Sequence, residues 1–350
     1  VLTLRRADEA GFRSLVSRLE AGEPGARPVS RDEYEQRHGA AAQDVQQVLG
    51  FARAHGLRVV RQDPASRRVV LSGTVAQFNT AFGVQLQRFE QQDGAVLRHF
   101  RQHAGAVRLP DALQGVVTAV LGLDDQAKAA PHFRLGPPLG PAFRPARASA
   151  QSFTPLQLAQ LYGFPPGDGK GQCIGLIELG GGYLASDLAA YFAQLGVPAP
   201  QVVAVSVDGA QPDAGGDPNG PDGEVTLDIE IAGALAPAAT LAVYFAPNSE
   251  AGFADAISQA LHDKTHQPSV LSISWGAPEA RWSAQALGAL DDALQTAVAL
   301  GVTVCAAAGD SGSGDGVGDG ASHVDFPASS LHALGCGGTR LTATAGRIAL

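Results

Sequence analysis

The regular alternation of strand and helix patterns after Thr154 constrains the fold of this 350-residue chain more than any other feature. Runs that are apolar on both faces alternate with helix-like segments, which is typical of a parallel sheet covered by helices on both sides. We therefore predict an α/β fold with a doubly wound parallel sheet. The predicted strands are 172–179, 201–207, 240–245, 269–275, 302–308 and 332–341, and the predicted helices are about 184–195, 224–235, 252–263 and 284–300.

The stretch DGEVTLDIEIAGALAPAA, residues 222–239, fits two patterns. Its charged and apolar residues alternate as in a half-exposed strand, but AGALAPAA is helix-like. A right-handed crossover between the strands at 201–207 and 240–245 requires a helix, and residues 208–223 are too rich in Gly, Pro and Asp to form it. We therefore predict a helix here, which stacks Glu224 and Asp228 one turn apart on the same face.

The N-terminal part, residues 1–125, is predicted to form a separate α+β domain. Residues 126–153 are rich in Pro, Ala and Arg without a hydrophobic period, which indicates an extended linker that is open to proteolysis. The chain from 154 to 350 would then form the second domain. In the first domain the predicted helices are about 7–19, 41–55, 74–82 and 111–121, and the predicted strands are 57–62, 67–73 and 84–90, of which the first two form a hairpin.

The charge of the chain is divided unequally. Residues 1–147 carry 20 of the 25 Lys and Arg residues but 14 of the 34 Asp and Glu residues, a formal charge of +6, whereas residues 148–350 carry 5 and 20, or −15. The arginines of the basic half are scattered and lack the clustered, aromatic-lined pattern of a nucleic-acid site. No segment approaches the ~18 apolar residues of a membrane span. We therefore expect the basic half to dock on the acidic half of its own chain.

Two motifs suggest other functions. GGGYLA matches the relaxed dinucleotide fingerprint through Gly180, Gly182 and Ala185, with Asp208 as the ribose acid, although the distance to Asp208 exceeds the usual ~20 residues. A tight strand-to-helix turn explains the same glycines. GDSGS at 309–313 resembles the nucleophile context of trypsin-like proteases, but a parallel sheet does not suit that site.

Metal and disulfide chemistry have little support in the sequence. The nine His residues have no zinc-like spacing, and the aspartates after residue 309 do not fit the EF-hand spacing. The three cysteines lie in apolar runs as small hydrophobic residues. We therefore predict no metal site in this chain.

Ordered segments of the second half, taken together, resemble one peptidase family. IELGGGY, DGEVTLDIEIAGALAP, AVYFAPN, SISWG and AAAGDSGSGDG, followed by HVDFPAS and GGT, are similar to the sedolisins, the serine-carboxyl peptidases. RPVSRDEYEQRHG and LPDALQGVVTAVLGLD resemble that family's activation prodomain. The resemblance implies a subtilisin-like sheet preceded by a ferredoxin-like α+β prodomain. It also implies an extracellular endopeptidase that cleaves proteins or peptides and is inhibited by its own prodomain.

The resemblance also assigns catalytic roles. In sedolisins a Glu and an Asp replace the histidine and its partner, which makes Glu224 the general base toward serine and Asp228 its orienting partner. Asp310 would supply the oxyanion hole. Two neighbouring carboxyl groups share a proton, and a carboxyl group donates to an oxyanion only when it is protonated. These requirements agree on an enzyme that acts in acid.

Further residues would support catalysis and bind substrate. Glu178 and Trp275 match residues that extend the hydrogen-bond network around the carboxyl groups, although core packing also explains a tryptophan after a buried strand. An edge strand made of Ser274, Trp275 and Gly276 would pair with the substrate. Asp325 lies where the family's S1 pocket has an acidic group.

The sequence departs from the family in two respects. The family's nucleophile lies in a G-T-S-x-x-x-P motif that does not occur here, and GGTRL has Arg340 at the serine position. The family's calcium ligands would lie beyond residue 350. We therefore expect this chain to lack the C-terminal part of the catalytic domain and to have no endopeptidase activity alone. The alternatives are a noncatalytic peptide-binding or inhibitory protein and, with less support, a dinucleotide-binding domain.

Overall fold

We describe a computed structural model of the chain, which covers residues 1–93, 96–104, 106–133, 153–216, 218–339, 341–344 and 347–348. These residues form an N-terminal unit, residues 1–126, and a C-terminal unit that begins at residue 153. The N-terminal elements are β1 (Leu2–Leu4), α1 (Glu9–Glu20), α2 (Arg31–His38), α3 (Ala42–Ala54), β2 (Arg58–Asp63), β3 (Arg68–Ser72), α4 (Val75–Phe82), β4 (Gln85–Asp93), β5 (Val96–Ala104) and β6 (Val117–Val120).

The N-terminal unit is an α+β domain, as predicted. Four of its strands form a sheet in the order β2-β3-β1-β6, in which β2 and β3 form the predicted antiparallel hairpin. Helix α4 begins at a capping box in which Thr74 and Gln77 satisfy each other's backbone amides, and it ends at Gly83 in the left-handed conformation. β4 and β5 form a separate antiparallel hairpin, of which only the first strand was predicted.

The predicted helix over 111–121 is wrong. A short 3-10 helix covers Asp111–Leu113, and Gly115 then adopts a positive φ of 72° that ends any helical turn. The following β-branched residues form β6, which pairs antiparallel with β1. β-Branched side chains fit this half-buried strand, so tertiary pairing outweighs the weak helical pattern.

The C-terminal unit alternates strands and helices as predicted. Strand β7 (Ala130–Pro131) lies before this unit in the chain. The elements of the unit are α5 (Pro155–Leu161), β8 (Cys173–Glu178), α6 (Ala185–Leu195), β9 (Gln201–Ser206), α7 (Pro221–Leu235), β10 (Thr240–Phe245), α8 (Glu250–His262), β11 (Val270–Ile273), β12 (Trp275–Pro278), α9 (Ala284–Leu300), β13 (Thr303–Ala307), β14 (Asp325–Phe326), β15 (Leu334–Cys336), β16 (Ala343–Thr344) and β17 (Arg347–Ile348).

Six of these strands form the parallel sheet in the order β15-β13-β11-β8-β10-β9. Helices α6 and α7 bury Leu188 and Ile229 on one face of the sheet. Helices α8 and α9 bury Ile257 and Leu294 on the other face. The doubly wound α/β prediction is therefore confirmed. Over the described residues, no helix is long and apolar enough to cross a membrane.

The predicted strand over 269–275 is divided in two. β11 stays in the parallel sheet, but the chain leaves it after Ile273, and β12 pairs antiparallel with β14 instead. The predicted strand over 332–341 is shorter than expected, because only 334–336 pair with β13. These departures place residues 274–278 beyond the carboxyl end of the sheet, where ligands of such folds bind.

The N-terminal unit packs on helices α8 and α9 of the C-terminal unit. Phe12, Tyr34 and Ala299 share one apolar cluster, and the Val29 amide donates to the Ala299 carbonyl at 2.9 Å. Charged contacts surround the cluster. Arg6 and Arg67 both bind the Asp292 carboxylate, Arg68 contacts Asp255, and Arg61 lies 3.2 Å from Asp208.

Candidate active site

Three carboxyl groups meet beyond the carboxyl end of β8. Glu178 ends that strand, while Glu224 and Asp228 face it from one side of α7. Asp228 lies within hydrogen-bonding reach of both glutamates. The helix predicted from the crossover constraint therefore does bring Glu224 and Asp228 together, and burial of that face explains why they do not lie in solvent.

The local sequence fixes the orientation of α7. Pro221 occupies its first turn, and the Asp222 carboxylate accepts from the Gly182 and Gly216 amides at 3.0 and 2.8 Å. These bonds tie the start of the helix to the loop after β8. The helix ends before Pro237, as predicted.

Neighbouring side chains hold the carboxyl groups in place. The Ser274 hydroxyl donates to Asp228 Oδ1 at 2.9 Å, and the Trp275 indole N–H donates to Glu178 Oε2 at 2.8 Å. Trp275 thus has both a core position and a polar contact. Ser274 was predicted only as part of a substrate edge, and its bond to Asp228 could not be read from the sequence.

The carboxyl cluster is shielded from water. Glu178 and Glu224 are 0% and 1% exposed. One oxygen each of Glu178, Glu224 and Asp228 is buried without a hydrogen-bond partner in the described part of the chain. Because a carboxylate can only accept, contacts among the three become hydrogen bonds only when a proton is shared between them.

Burial raises the pKa of each group in the cluster. For Glu224, burial and then the charge of Asp228 raise the pKa to about 8, against a smaller opposing effect of Ser274. Burial raises the pKa of Asp228 to about 6, although hydrogen bonds to its charged form oppose the change. Burial and Asp228 raise the pKa of Glu178 well above its ordinary value. The cluster therefore binds protons well above the pH at which free carboxyl groups do.

Asp310 approaches the cluster from the loop after β13. Gly309 before it has a positive φ of 84°, and a side chain there would meet Asp315 and Asp325. Asp310 is exposed, and its charge acts on Glu224. The loop therefore places an exposed carboxyl group close enough for its charge to raise the pKa of Glu224.

The chain's own segment occupies the edge of β12. Residues 130–131 pair antiparallel with Trp275 and Gly276, and the His132 amide donates to the Ser274 carbonyl at 2.9 Å. The edge predicted for substrate is thus filled by an extended peptide, a mode of recognition that uses backbone hydrogen bonds.

The His132 side chain reaches the buried Asp325. Its Nε2 lies 3.1 Å from Asp325 Oδ2, and Asp325 is 4% exposed. Gly276 makes this approach possible, because a Cβ there would lie 2.0 Å from Asp325 Oδ1 and 2.7 Å from His132 Nε2. The next residue, Phe133, lies against Gly223 at the start of α7. Nothing in the local sequence around His132 identified this contact.

The predicted linker, 126–153, is only partly described. Asn248 accepts from the Lys128 and Ala129 amides at 3.1 Å and donates to the Ala129 carbonyl at 2.8 Å. Residues 128–133 are therefore fixed against the C-terminal unit, and residues 134–152 of the predicted linker lie outside the described residues.

The glycine turn at 180–182 packs closely against α7. A Cβ on Gly181 would lie 2.5 Å from the Pro221 backbone, and the Gly182 amide already binds the Asp222 carboxylate. Asp208 binds Arg61 of the N-terminal unit. These contacts account for the motif as a tight turn and leave the dinucleotide alternative without structural support.

Within the described ranges, no group of three or more His, Cys, Asp or Glu side chains is arranged to hold a metal ion. All three cysteines are free thiols, and only Cys173 is buried.

Known proteins match both halves of the chain. Residues 1–126 match the family model of the pro-kumamolisin activation domain, and residues 214–348 match that of the subtilase family. The chain is 53% identical to kumamolisin of Bacillus sp. (strain MN-32) over 99% of its own length and 63% of kumamolisin. It is 29% identical to tripeptidyl-peptidase sed5 of Aspergillus fumigatus over 87% of its length and 55% of that protein.

A solved structure agrees with these relatives. Pseudomonas sedolisin, a serine-carboxyl proteinase complexed with two molecules of pseudo-iodotyrostatin, aligns with a TM-score of 0.51 and 26% identity over 58% of each chain. The chain thus combines an activation prodomain with a subtilase-type sheet. The chain belongs to the sedolisin family, the serine-carboxyl peptidases, and it spans 63% and 55% of the two curated relatives. The family and fold predictions are therefore confirmed.

Proposed function

We propose that this chain is part of the precursor of an extracellular endopeptidase that hydrolyses peptide bonds in acid. Its observed carboxyl cluster carries the proposal, because three buried carboxyl groups with raised pKa values lie beside a strand that pairs with an extended peptide. Such a cluster can hold and pass a proton at acidic pH.

In this proposal Glu224 takes the proton of a serine hydroxyl as it passes its own proton to the carboxylate of Asp228, which also orients it. Ser274 and the Glu178–Trp275 pair keep Asp228 in position. A protonated Asp310 donates a hydrogen bond to the oxyanion of the tetrahedral intermediate. The family's serine motif does not occur among these 350 residues, so the nucleophile of the whole enzyme would come from outside them.

The substrate is proposed to bind where residues 130–132 now lie. The peptide would pair with residues 274–276, and the side chain before the scissile bond would enter the pocket of Asp325, which His132 occupies here. An acidic group in this pocket favours basic or polar side chains. Inhibition thus has two parts, because the prodomain docks on α8 and α9 and the linker residues 130–132 fill the substrate edge.

Acidification is proposed to release the prodomain. The N-terminal half of the chain, with a formal charge of +6, binds the C-terminal half, with a charge of −15, through ion pairs such as Arg67–Asp292 and Arg68–Asp255. Protonation of interface groups weakens that attraction. A prodomain affinity that is unchanged between pH 7 and pH 4 would contradict this step.

The test is peptide hydrolysis by the full-length protein that contains this chain, measured between pH 3 and pH 5. Glu224→Gln should lower kcat by about 10²- to 10⁴-fold, the usual contribution of a general base. Glu230→Gln is the matched control, since Glu230 lies on α7 outside the cluster and should leave turnover close to that of the unmodified protein. Equal turnover in all three proteins would refute the assignment.

A noncatalytic peptide-binding or inhibitory protein is the second candidate. The absent serine motif and the filled strand edge favour it. We expect no turnover from the 350-residue chain alone, and turnover that disappears with Glu224→Gln would contradict that expectation. A full-length protein without turnover at pH 3–5 that still binds peptides would support the second candidate.

A further inference from the structure

His262 lies at the contact between the prodomain and the catalytic unit, and the proposed catalytic mechanism does not use it. It is the last residue of α8, and its Nδ1 lies 2.8 Å from the Ser258 carbonyl. Because a carbonyl can only accept, Nδ1 carries the proton and Nε2 is left as an acceptor. Nε2 is shielded from solvent and has no hydrogen-bond partner among the described residues.

The prodomain supplies the surroundings of this imidazole. The Tyr34 ring of α2 packs edge-on at a centroid distance of 5.4 Å. Arg67 and Arg68 disfavour a positive charge at His262, whereas Asp63 favours one. A cavity of about 380 Å³ adjoins the ring and provides a route for water and protons. Its charged or titratable lining groups, besides His262, are Arg61, Asp63, Arg68, Asp255, Asp263 and His266.

We propose that His262 is the proton acceptor through which mild acid releases the prodomain. Protonation would place a third cation beside Arg67 and Arg68, on a nitrogen that has no partner while the prodomain is docked. Undocking removes Tyr34 and both arginines and lets water solvate the imidazolium. This inference rests on the proposed role of the prodomain as a releasable inhibitor.

Proton linkage gives the direction and the size of the pH effect on docking. Burial and then the nearby arginines lower the pKa of His262 from 6.5 to about 4 in the docked chain, against the opposing Ser258 bond and Asp63. The undocked state, with the ordinary pKa, therefore binds more protons between pH 6.5 and 4, so docking weakens as the pH falls. The loss is about tenfold per pH unit, or up to about 300-fold over this window.

The interface carboxylate Asp292 titrates later than His262. Burial raises the pKa of Asp292, but Arg67 and Arg6 outweigh it and hold the pKa below its ordinary value of 3.8. Protonation of Asp292 thus weakens docking only below about pH 4. His262 acts in the range above that, where the ion pairs of Asp292 with Arg6 and Arg67 are still intact.

The test follows the Val29 amide of the intact 350-residue chain, because its bond to the Ala299 carbonyl crosses the interface. Its hydrogen-exchange protection factor, corrected for intrinsic exchange, should fall by up to about 300-fold between pH 6.5 and 4. His262→Gln should remove this fall. His55→Gln is the matched control, because His55 makes the same bond to the carbonyl four residues earlier but lies half-exposed in the prodomain. It should behave as the unmodified chain.

A parallel fall of protection in His262→Gln would overturn the proposal. A second measurement needs no variant: NMR titration of the His262 ring in the unmodified chain should give a pKa near 4 while Val29 is still protected, and a value near 6.5 would overturn the proposal. Constant protection in all three chains down to pH 4 would overturn both this inference and acid release. It would leave the proposed catalytic role of Glu224 untouched, which the hydrolysis assay tests separately.

Discussion

Glu224 should make the catalytic unit more stable in acid than at neutral pH. Its side chain is 1% exposed, and burial with the Asp228 charge raises its pKa from 4.5 to about 8. The folded state therefore holds a proton that the unfolded state loses above pH 4.5. The stabilisation is complete below that pH and is lost as the pH rises to 8. This difference between the pKa values of the unfolded and folded states changes the free energy of unfolding by about 5 kcal/mol, at 1.36 kcal/mol per pH unit.

Glu224→Gln should remove this loss, because glutamine keeps a neutral polar group of similar size. At pH 4 the variant and the unmodified chain should have similar free energies of unfolding, whereas at pH 8 the variant should be more stable by up to about 5 kcal/mol. Urea unfolding followed by fluorescence reports on the catalytic unit, because Trp275 and Trp282 are the chain's two tryptophans and both are buried there.

The exposed Asp213→Asn is the matched control, since it removes a carboxylate outside the cluster. It should change the free energy of unfolding equally at both pH values. The difference between Glu224→Gln and the unmodified chain is what matters, because His262 and the interface pairs also respond to pH. A difference that stays constant from pH 4 to 8 would refute the claim that Glu224 is protonated in the folded chain.

Two further substitutions test the contacts of the prodomain. Asp292→Asn leaves the buried Arg6 and Arg67 without their anion and should weaken docking at pH 7 by about 3 kcal/mol, or more than 100-fold, measured by Val29 exchange; unchanged protection would contradict the ion-pair account. Gly276→Ala places a methyl group 2.0 Å from Asp325 and should displace the 130–132 segment at a cost of about 1–3 kcal/mol. The amides of His132 and of residue 276 should then exchange faster, and unchanged rates would contradict the close packing.

The sequence predicts those parts of the fold that depend on local period and on topology. Runs that are apolar on both faces predict the parallel sheet, and the crossover rule predicts that the alternating segment forms the helix α7. The same rule places Glu224 and Asp228 on one face. Where a β-branched run can pair with a distant strand, local pattern is not enough, and the helix predicted over 111–121 is in fact β6.

The candidate site was predictable from sequence only in part. The family resemblance pointed to Glu178, Trp275 and Asp310, but the partners of these residues depend on where β11 ends and how the loops approach. The bond from Ser274 to Asp228 and the contact of His132 with Asp325 join residues 46 and 193 positions apart. No pattern within a single segment encodes such contacts, because each depends on the packing of separate elements.

The order in which groups take up protons gives the precursor a sequence of events. As the pH falls, Glu224 is protonated first and Asp228 next, with pKa values of about 8 and 6. Docking weakens from pH 6.5 as His262 favours the undocked state, and Asp292 is protonated only below 3.8. Glu224 thus holds its proton while residues 130–132 still fill the substrate edge. We therefore expect the proton that Glu224 shares with Asp228 to be in place before substrate gains access to the site.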